Sequence, residues 1–384
     1  MKRPSLAGIR ALEEAWTVIG LARLTVFGED GRRMGEELEL HEGIRPVERE
    51  WDELAVRVGS PPFLRPAWLS AWWSAFGSGE LLVLALRRDG GLAGVLPVCR
   101  RGSVLSSPSN YHTPVYGPVL EDQAAGKGLL DGLFELGPRR VQLSFASGRA
   151  GWLRSFRTAA AEAGYQVTPR TMFRSPYIQL SAGWDAYWAA RSVNLRRGTK
   201  RLFNRLQDRG SVSLRMVRGE QGLSEQFEDA LTVEASGWKG QNGTAIASRP
   251  ETRRFYGEIA RWGAREGMLR LTCLRVDETP VAMHLALEAD GSHMVLKEGY
   301  DEGFAKVGPG KLLARDMIER AFNLGLDTFD FLGKEEPHKE PWADHVDDRV
   351  EVQAFKRSPV GLADRLVRVH GRSLARRVSA RVGR

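Results

Sequence analysis

LLVLALRRD, residues 81–89, and LRLTCLRVD, residues 269–277, match at four positions without a gap. Each stretch is an apolar strand that leads through a polar turn, DGG or DET, into a second apolar run, and this order is the pattern of a β-hairpin. The two stretches lie 188 residues apart, which is about half the chain. The sequence therefore predicts that one structural unit occurs twice.

The likeness continues downstream of both hairpins. Residues 126–145 and 310–331 each run from Gly-Lys through a helical pattern to a Leu-Gly stop and a strand. Meandering strands, a helix and a further strand predict an α/β (α+β) fold with mixed, mainly antiparallel sheets flanked by helices. We place an N-terminal extension at 1–36, a first domain at 37–176, a second domain at 177–360 and a basic tail at 361–384.

The composition limits the class of protein. The 384 residues carry a net charge of +8 and a pI of about 9.6, which permits an anionic partner such as a nucleotide, RNA or a membrane surface. Cys99 and Cys273 lie far apart in apolar runs, which predicts buried thiols rather than a disulfide or a metal site. The first residues lack a signal or transit pattern, and no stretch approaches ~18 uncharged apolar residues, so we expect a soluble, cytoplasmic protein. The sequence has no HExxH, CxxC, P-loop or GxSxG pattern, so metal-dependent hydrolysis, nucleoside triphosphate hydrolysis and serine esterase chemistry lack support.

A glycine-rich turn, AKVGPGKLL at 305–313, precedes the helix of the second copy. Such a turn exposes backbone N–H groups at the positive end of a helix dipole and can bind phosphate. Val307, Gly308, Gly310 and Lys311 are therefore candidate cofactor-binding residues. Ordinary turn chemistry before a helix is the alternative. The first copy has the less permissive Ala-Ala-Gly at 124–126, which favours the second copy as the functional one.

On the strand after this helix, the second copy has Asp330 where the first has Gln142. A carboxylate accepts a proton or holds an ammonium group, and an amide cannot act as a base. Alternation along the strand predicts that Asp330 lies on the face opposite to its phenylalanine neighbours. The loop that follows is either a functional loop at a strand end or a charged, solvated loop, and it contains Lys334, Glu335, Glu336, His338 and Lys339.

Two further stretches are candidates for substrate contacts. EASGWKGQNGTAI, residues 234–246, is too rich in small polar residues for regular structure; Trp238 could form a wall and Lys239 an anion contact, or the stretch is a surface loop with one packed tryptophan. Residues 191–210 carry seven basic side chains that could grip phosphates, the alternative being a solvated basic helix face.

Taken together, WKGQNGTAIAS, LRLTCLRVDETPVAMHLAL, VGPGKLLARDMIERA and FDFLGKEEPHKEPW resemble the BioF2-like or CelD-like acetyltransferase group of the GNAT superfamily. The resemblance covers roughly residues 50–357. Proteins of this group are similar to the FemABX peptidyltransferases, so it implies tandem duplicated GNAT-like folds. It also implies acyl-CoA (acetyl-CoA) as co-substrate, with no permanently bound cofactor. The turn from Gly308 to Lys311 would bind the pyrophosphate, and strand 293–300 would pair with the pantetheine arm. The group's loop is Q/R-x-x-G-x-G/A; Gly308 and Gly310 fit it, and Ala305 occupies its first position.

The implied reaction is direct acyl transfer to an amine, in which the protein orients the amine, removes a proton and stabilises the oxyanion. We expect Asp330 to be the base or the amine-orienting group, with Glu298 and Glu336 as second choices. Lys239 and Lys339 are candidates for contacting an anionic acceptor.

The expected acceptor is the amine of a small molecule or of a glycan or peptide precursor, in the cell envelope or an exopolysaccharide. One alternative is a FemABX-like aminoacyltransferase that uses aminoacyl-tRNA, favoured by the basic stretch and tail. Another is a catalytically silent scaffold of polysaccharide assembly, favoured by Ala305. We expect no DNA partner, and the basic tail suggests peripheral membrane contact.

Overall fold

A computed structural model describes residues 22–27, 33–236, 243 and 245–368. Its strands are β1 (Ala22–Phe27), β2 (Arg33–Glu42), β3 (Glu80–Arg88), β4 (Gly91–Arg101), β5 (Val104–Ser106), β6 (Val119–Leu120), β7 (Arg140–Ser147), β8 (Tyr165–Gln179), β9 (Val212–Val217), β10 (Leu269–Val276), β11 (Thr279–Ala289), β12 (Ser292–Tyr300), β13 (Thr328–Asp330) and β14 (His345–Lys356). Its helices are α1 (Glu48–Arg57), α2 (Pro66–Phe76), α3 (Gln123–Glu135), α4 (Trp152–Glu162), α5 (Trp184–Ala190), α6 (Val193–Gln207), α7 (Leu223–Ala235), α8 (Pro250–Arg265), α9 (Pro309–Asn323) and α10 (359–368). Short 3-10 turns lie at Arg45–Val47, Pro62–Leu64, Ile246–Ser248 and Glu302–Val307.

The chain forms two compact units whose division is not linear. The first unit comprises the residues up to Pro66, Gly77–Met172 and the chain from Arg349 onward. The second comprises Ala67–Phe76 and Phe173–Asp348. The domain limits 37–176 and 177–360 stay a prediction.

The first unit has the strand order β1-β2-β3-β4-β5-β7, with β14 beside β7 and β6 beside β4. Among its described pairs, β5 with β7 is parallel and the others are antiparallel. Helices α3 and α4 cover this sheet because their apolar residues, such as Leu129 and Phe156, share one core with Leu84 and Val141 of the strands.

The second unit has the order β8-β13-β12-β11-β10-β9, in which the described β12–β13 pair alone is parallel. On one face α9 packs, since Leu313 and Met317 join Phe329 in the core. On the opposite face lie α7 and α8, because a Cβ at Gly299 of β12 would touch Glu234 of α7, and one at Gly263 of α8 would touch β11. The sheet is therefore covered on both faces.

The sequence repeat is also a repeat of backbone geometry. Asp89 and Asp277, which end the two matched stretches, both have the left-handed conformation, with φ of 51° and 50°. Both hairpins shift register just before this turn, after Leu86 and after Leu274. The predicted fold class of α/β units with mixed, mainly antiparallel sheets is confirmed.

Buried groups agree with the composition. Cys99 and Cys273 are buried, free thiols, as predicted, and burial raises the pKa of Cys273 to about 12. Among the described residues, no group of His, Cys, Asp and Glu is arranged to hold a metal ion. None of the described helices is long and apolar enough to cross a bilayer.

Candidate active site

The two parallel strands of the second unit part after three residues. Strand β12 pairs with β13 only from Ser292 to Met294, yet it continues to Tyr300 alongside β11. Beyond β13 the chain follows β8 instead, where the Glu335 N–H donates to the carbonyl of Arg174 (2.8 Å). Within the described chain, no strand pairs with this edge of β12 beyond Met294. An extended ligand could lie along this part of β12 as an added strand.

A β-bulge at Leu296 decides which side chains face each other. Leu285 lies opposite Lys297 and Ala286 opposite Val295, so β12 carries one residue more than β11 at this point. Beyond the bulge, Glu298 lies opposite His284.

The same register separates two predicted catalytic residues. Asp330 lies opposite Met294, and Met294 lies opposite Leu287 of β11. His284 and Leu287 are three residues apart on a part of β11 without a bulge, so they point to opposite faces. The structure therefore places Glu298 and Asp330 on opposite faces of the sheet and does not bring them together.

Glu298 of β12 and His338 of the loop after β13 form a hydrogen-bonded pair. The Nε2–H of His338 donates to Oε1 of Glu298 at 2.8 Å. Burial raises the pKa of Glu298, but the hydrogen bond from His338 and the positive charges of His338 and Lys339 outweigh it and lower this pKa to about 2. Glu298 is thus an anion at neutral pH. The side chain of His338 is 58% exposed, so its ring can reach a substrate.

Lys339 holds the loop that carries His338. Its buried Nζ donates to the carbonyl oxygens of Leu332 (3.3 Å) and Lys334 (3.2 Å) and pairs with Glu336 at 2.9 Å. Glu336 also lies 4.0 Å from Nε2 of His338. Two predicted site residues therefore lie in one loop with His338, where Lys339 contacts the chain itself.

Asp330 stabilises the turn that enters this loop. Its Oδ1 accepts the N–H of Leu332 at 2.8 Å. Leu332 has a φ of 49°, a conformation that costs a branched residue roughly 1 kcal/mol or more. The carboxylate thus contributes to holding a strained turn, on the sheet face opposite to Glu298.

The glycine turn differs between the two copies in its cap. Gly308 has a φ of 57° and begins α9 without a side-chain cap. In the first unit, Asp122 caps α3 by accepting the N–H of Ala125 at 2.8 Å, and the hydrogen bond from Arg88 lowers the pKa of Asp122 to about 2. The N-terminus of α3 is thus neutralised by the chain's own carboxylate. That of α9 keeps its positive dipole end for a ligand.

Close packing explains both glycines of this turn. A Cβ at Gly308 would come within 3.0 Å of Leu202 in α6, and one at Gly310 within 3.1 Å of the ring of Tyr300. The start of α9 therefore lies against the end of β12. Val307 is buried in the core, whereas Lys311 is half-buried.

A buried polar chain lies behind Glu298. His284 and His293 join through their Nε2 atoms at 2.9 Å, and Nδ1 of His293 meets Glu288 at 2.8 Å. Glu288 also pairs with Arg270 at 2.6 Å and with Arg320. Burial lowers the pKa of His284 to about 3 and lowers that of His293, so both rings are neutral.

These protonation states fix the tautomers of the pair. Burial raises the pKa of Glu288, but the hydrogen bonds from His293 and Arg320 outweigh it, and the net pKa is lowered. Because Glu288 is ionised and can only accept, His293 donates from Nδ1 and accepts at Nε2. His284 then donates from Nε2, which leaves its Nδ1 as an acceptor.

The basic helix α6 lies beside the glycine turn through Leu202. Arg197, Arg201 and Arg205 recur every four residues, are exposed, and form a row along the helix. Arg191 by contrast pairs with Asp344 at 2.6 Å. Trp238 and Lys239, predicted to contact substrate, lie outside the described residues.

The sequence placed His338 in the candidate loop after Asp330 without giving it a role, and it did not single out His284 or His293. The pairing of His293 with Glu288 follows from the hairpin turn at Asp290–Gly291, where both positive-φ residues make the tight connection. Proximity of His338 to Glu298 depends on the loop and had no local signal.

The chain was compared with protein-family models, with curated protein sequences and with solved structures. Residues 193–340 match the family model described as acetyltransferase (GNAT) domain. The crystal structure of FemX matches with a TM-score of 0.55 and 11% identity, over 82% of this chain and 97% of that one. The C-terminal domain of a protein assigned as a lysylphosphatidylglycerol synthetase from Agrobacterium fabrum matches with a TM-score of 0.51 and 11% identity, over 84% and 96%. No curated protein sequence matches the chain.

At this identity the two structures show the fold, and the family match indicates the class of chemistry. The match begins with α6, extends past β13 and includes the turn at Gly308, the parting strands and the loop of His338. Residues 193–340 match a GNAT acetyltransferase domain, and this match supports an enzyme of the N-acyltransferase class.

Proposed function

We propose that the chain transfers an acyl group from an acyl-CoA to an amine in the opening between β12 and β13. The observation that carries this proposal is the continuation of β12 past its parallel partner β13, beside the start of α9, which has no side-chain cap. A CoA thioester presents amides along an extended arm and a pyrophosphate at its far end. Backbone groups of β12 suit the amides, and the N-terminus of α9 suits the pyrophosphate.

The geometry gives the donor a direction. From Val295 to Tyr300, beyond its pairing with β13, β12 spans about 17 Å at 3.3 Å per residue. Because Gly310 packs on Tyr300, the phosphates would lie at the Tyr300 end. The thioester would then lie toward the point where the strands part, with Glu298 and His338 beside the path.

We assign the base to His338 and its orientation to Glu298. Glu298 accepts the Nε2–H of His338, so the lone pair that the ring has in its neutral form lies on Nδ1. In the reaction Nδ1 takes a proton from the amine, the nitrogen forms a bond to the thioester carbon, and the C–S bond breaks. The proton passes from His338 to the departing sulfur, which balances the step.

This assignment revises the order of the candidates. Glu298 has too low a pKa to be an efficient base at neutral pH, but it orients the imidazole. Asp330 remains a candidate to hold the ammonium form of an acceptor on the other face. Lys339 positions the loop through its ion pair with Glu336. The carboxylate of Glu336 also lies 4.0 Å from Nε2 of His338.

Donor binding can be tested by thermal shift with acetyl-CoA and longer acyl-CoAs. The wild type should be stabilised, by about 2.7 kcal/mol at a hundredfold excess over Kd. Lys311→Glu, which reverses a charge in the first turn of α9, should weaken this stabilisation. Gly151→Glu places the same charge at the start of α4, in open space, and is the control. Absence of stabilisation by every acyl-CoA would overturn the donor.

Turnover separates the candidate bases. With donor saturating and release of free thiol as the readout, His338→Ala should lower kcat by about 10² to 10⁴. Asp330→Asn should change KM for the acceptor more than kcat. If Asp330→Asn abolishes turnover and His338→Ala does not, the assignment of the base is wrong.

An aminoacyl-tRNA donor is the second candidate, and the exposed row on α6 favours it. Arg197, Arg201 and Arg205 lie about 6 Å apart along the helix axis, close to the spacing of phosphates in a nucleic acid strand. A tRNA gel shift that weakens steeply with salt, and that is lost in the triple glutamine variant, would support this donor. No shift at low salt would eliminate it.

The acceptor proposed is the amine of a small molecule or of a glycan or peptide precursor in an envelope or exopolysaccharide pathway. The proposal rests on the resemblance of the sequence to the BioF2-like or CelD-like group. Its cytoplasmic location belongs to the same proposal. A screen of amine acceptors with a labelled acyl donor would test the class.

A further inference from the structure

Helix α10, residues 359–368 in the first unit, has its apolar side facing outward. Val360 is 59% exposed, Leu362 44%, Leu366 55% and Val367 71%. At 100° per residue these four side chains lie within one half of the helix circumference. A surface helix of a water-soluble protein shows the opposite arrangement.

Ion pairs on the inner side hold this orientation. Asp364 is anchored by Arg140 at 3.1 Å, by Arg139 at 3.6 Å and by Arg368 at 3.0 Å. Gly361 lies so close to the carbonyl of Lys356 that no Cβ would fit. Rotating the helix to bury its leucines would break the contacts of Asp364 and require space at Gly361. The outward apolar face is therefore built into the fold.

The clustering distinguishes this face from ordinary exposed apolar residues. Among the other exposed large apolar side chains of the described chain, Val56 lies on α1, Tyr111 in a loop and Leu324 just after α9, and Val193 and Phe203 of α6 lie ten residues apart. Single exposed residues of this kind are normal, whereas a contiguous apolar face marks an interaction surface.

The charge of the following sequence indicates the partner. Residues 365–384 contain seven arginines and no Asp or Glu, and they supply seven of the eight net positive charges of the chain. Leu374, Val378 and Val382 recur every four residues among these arginines, which continues a helical apolar pattern in the sequence. Exposed leucines and valines combined with arginines and no carboxylates are the chemistry of a segment that lies on an anionic lipid surface.

We propose that the outer face of α10 docks on an anionic phospholipid bilayer. The apolar side chains enter the interface between headgroups and acyl chains, and the arginines pair with lipid phosphates. Docking of this kind needs both signals, because one shallow apolar face alone binds only marginally. The inference stands independently of the donor and the acceptor.

The test is flotation of the full chain with vesicles of phosphatidylcholine alone or with about 30% phosphatidylglycerol. Binding to the anionic vesicles only, weakened by salt, is expected. Leu366→Glu with Val367→Glu should lower the partition coefficient by about tenfold or more, because two charges enter the interface. Both residues are more than half exposed, so the fold should be retained. Val56→Glu, a matched exposed valine on α1, should bind like the wild type.

A second pair of substitutions tests the charges. Arg376→Gln with Arg377→Gln should weaken binding to anionic vesicles and reduce its dependence on salt. Equal binding to neutral and anionic vesicles, or wild-type binding by the Leu366→Glu, Val367→Glu variant, would overturn the proposal. A dimer in light scattering that this variant dissolves, without vesicle binding by the wild type, would assign the face to a second copy instead and also overturn it.

Discussion

Acidification from pH 6.5 to pH 5 should weaken the fold through the buried histidines His284 and His293. Each imidazole has an ordinary pKa of 6.5 in the unfolded chain, while burial lowers the pKa of His284 to about 3 in the fold and also lowers that of His293. Between these values the unfolded chain binds more protons than the folded one. The free energy of unfolding therefore falls as the pH falls, and the contribution is fully present only above pH 6.5.

The magnitude follows from the two pKa values of His284. Linkage with 6.5 unfolded and about 3 folded gives a loss of about 1.6 kcal/mol between pH 6.5 and pH 5. His293 adds a loss of the same sign. The neighbouring charges act in both directions, since Glu288 and Glu298 raise the pKa of His284 and Arg320 lowers it, but burial is the largest cause.

The assay is urea unfolding at pH 6.5 and pH 5, with the free energy extrapolated to water. The window lies above the ordinary pKa of carboxylates, so histidines dominate the slope. His284→Gln lowers stability at both pH values because it breaks a buried hydrogen bond, but it should lose about 1.6 kcal/mol less on acidification than the wild type. His345→Gln, at an exposed histidine of the same unit, should keep the wild-type slope.

The change in the free energy of unfolding between pH 6.5 and pH 5 tests the role of His284 independently of overall stability. If His284→Gln loses as much stability on acidification as the wild type, His284 is not held neutral by burial. A loss in the His345→Gln variant that is smaller than in the wild type would place the proton linkage at the surface.

Three other outcomes are expected. Glu298→Gln should lower kcat by about tenfold or more, measured by thiol release, because an amide can donate to His338 and select the wrong tautomer. Gly308→Ala should cost about 1 to 2 kcal/mol in chemical denaturation because φ is 57°, whereas Gly198→Ala inside α6, in open space, should stabilise by up to about 1 kcal/mol. Asp122→Ala should cost about 1 kcal/mol by removing the cap of α3, and this contribution should be lost in the wild type as the pH falls from about 4 to 2.

The hairpins were predictable because their signals are local. Alternation, turn composition and matched spacing all lie within a few residues of Asp89 and Asp277, and both turns adopt the same left-handed geometry. The glycine turn at 308 and 310 was predictable for the same reason, since a turn before a helix has a short sequence pattern.

The face on which Glu298 lies was not predictable, because one extra residue in β12 reverses it. Counting outward from the turn at Asp290–Gly291 gives the correct partner for Glu288, which is His293. The same count would place His284 opposite residue 297, but the bulge at Leu296 brings Glu298 there. A slip of one residue changes the face of every later side chain.

The contacts within the loop after β13 could not be predicted from the sequence, for a different reason. Lys339 was expected to contact an acceptor, whereas its Nζ is buried against carbonyl oxygens of its own loop. Long polar side chains in a charged loop have many alternatives of similar free energy. Only packing against β12 selects the arrangement in which His338 reaches Glu298.

The two copies of the repeat differ in a consistent direction. In the first unit, β5 pairs with β7 along its whole length of three residues, and Asp122 closes the start of the next helix. In the second, β12 extends six residues past its parallel partner, and Gly308 leaves the helix uncapped. The residue pair that first separated the copies is less decisive, since Gln142 and Asp330 both make hydrogen bonds within their own unit. The two units therefore differ in a strand that continues past its parallel partner and in a helix start without a side-chain cap, two backbone features that no side-chain motif records.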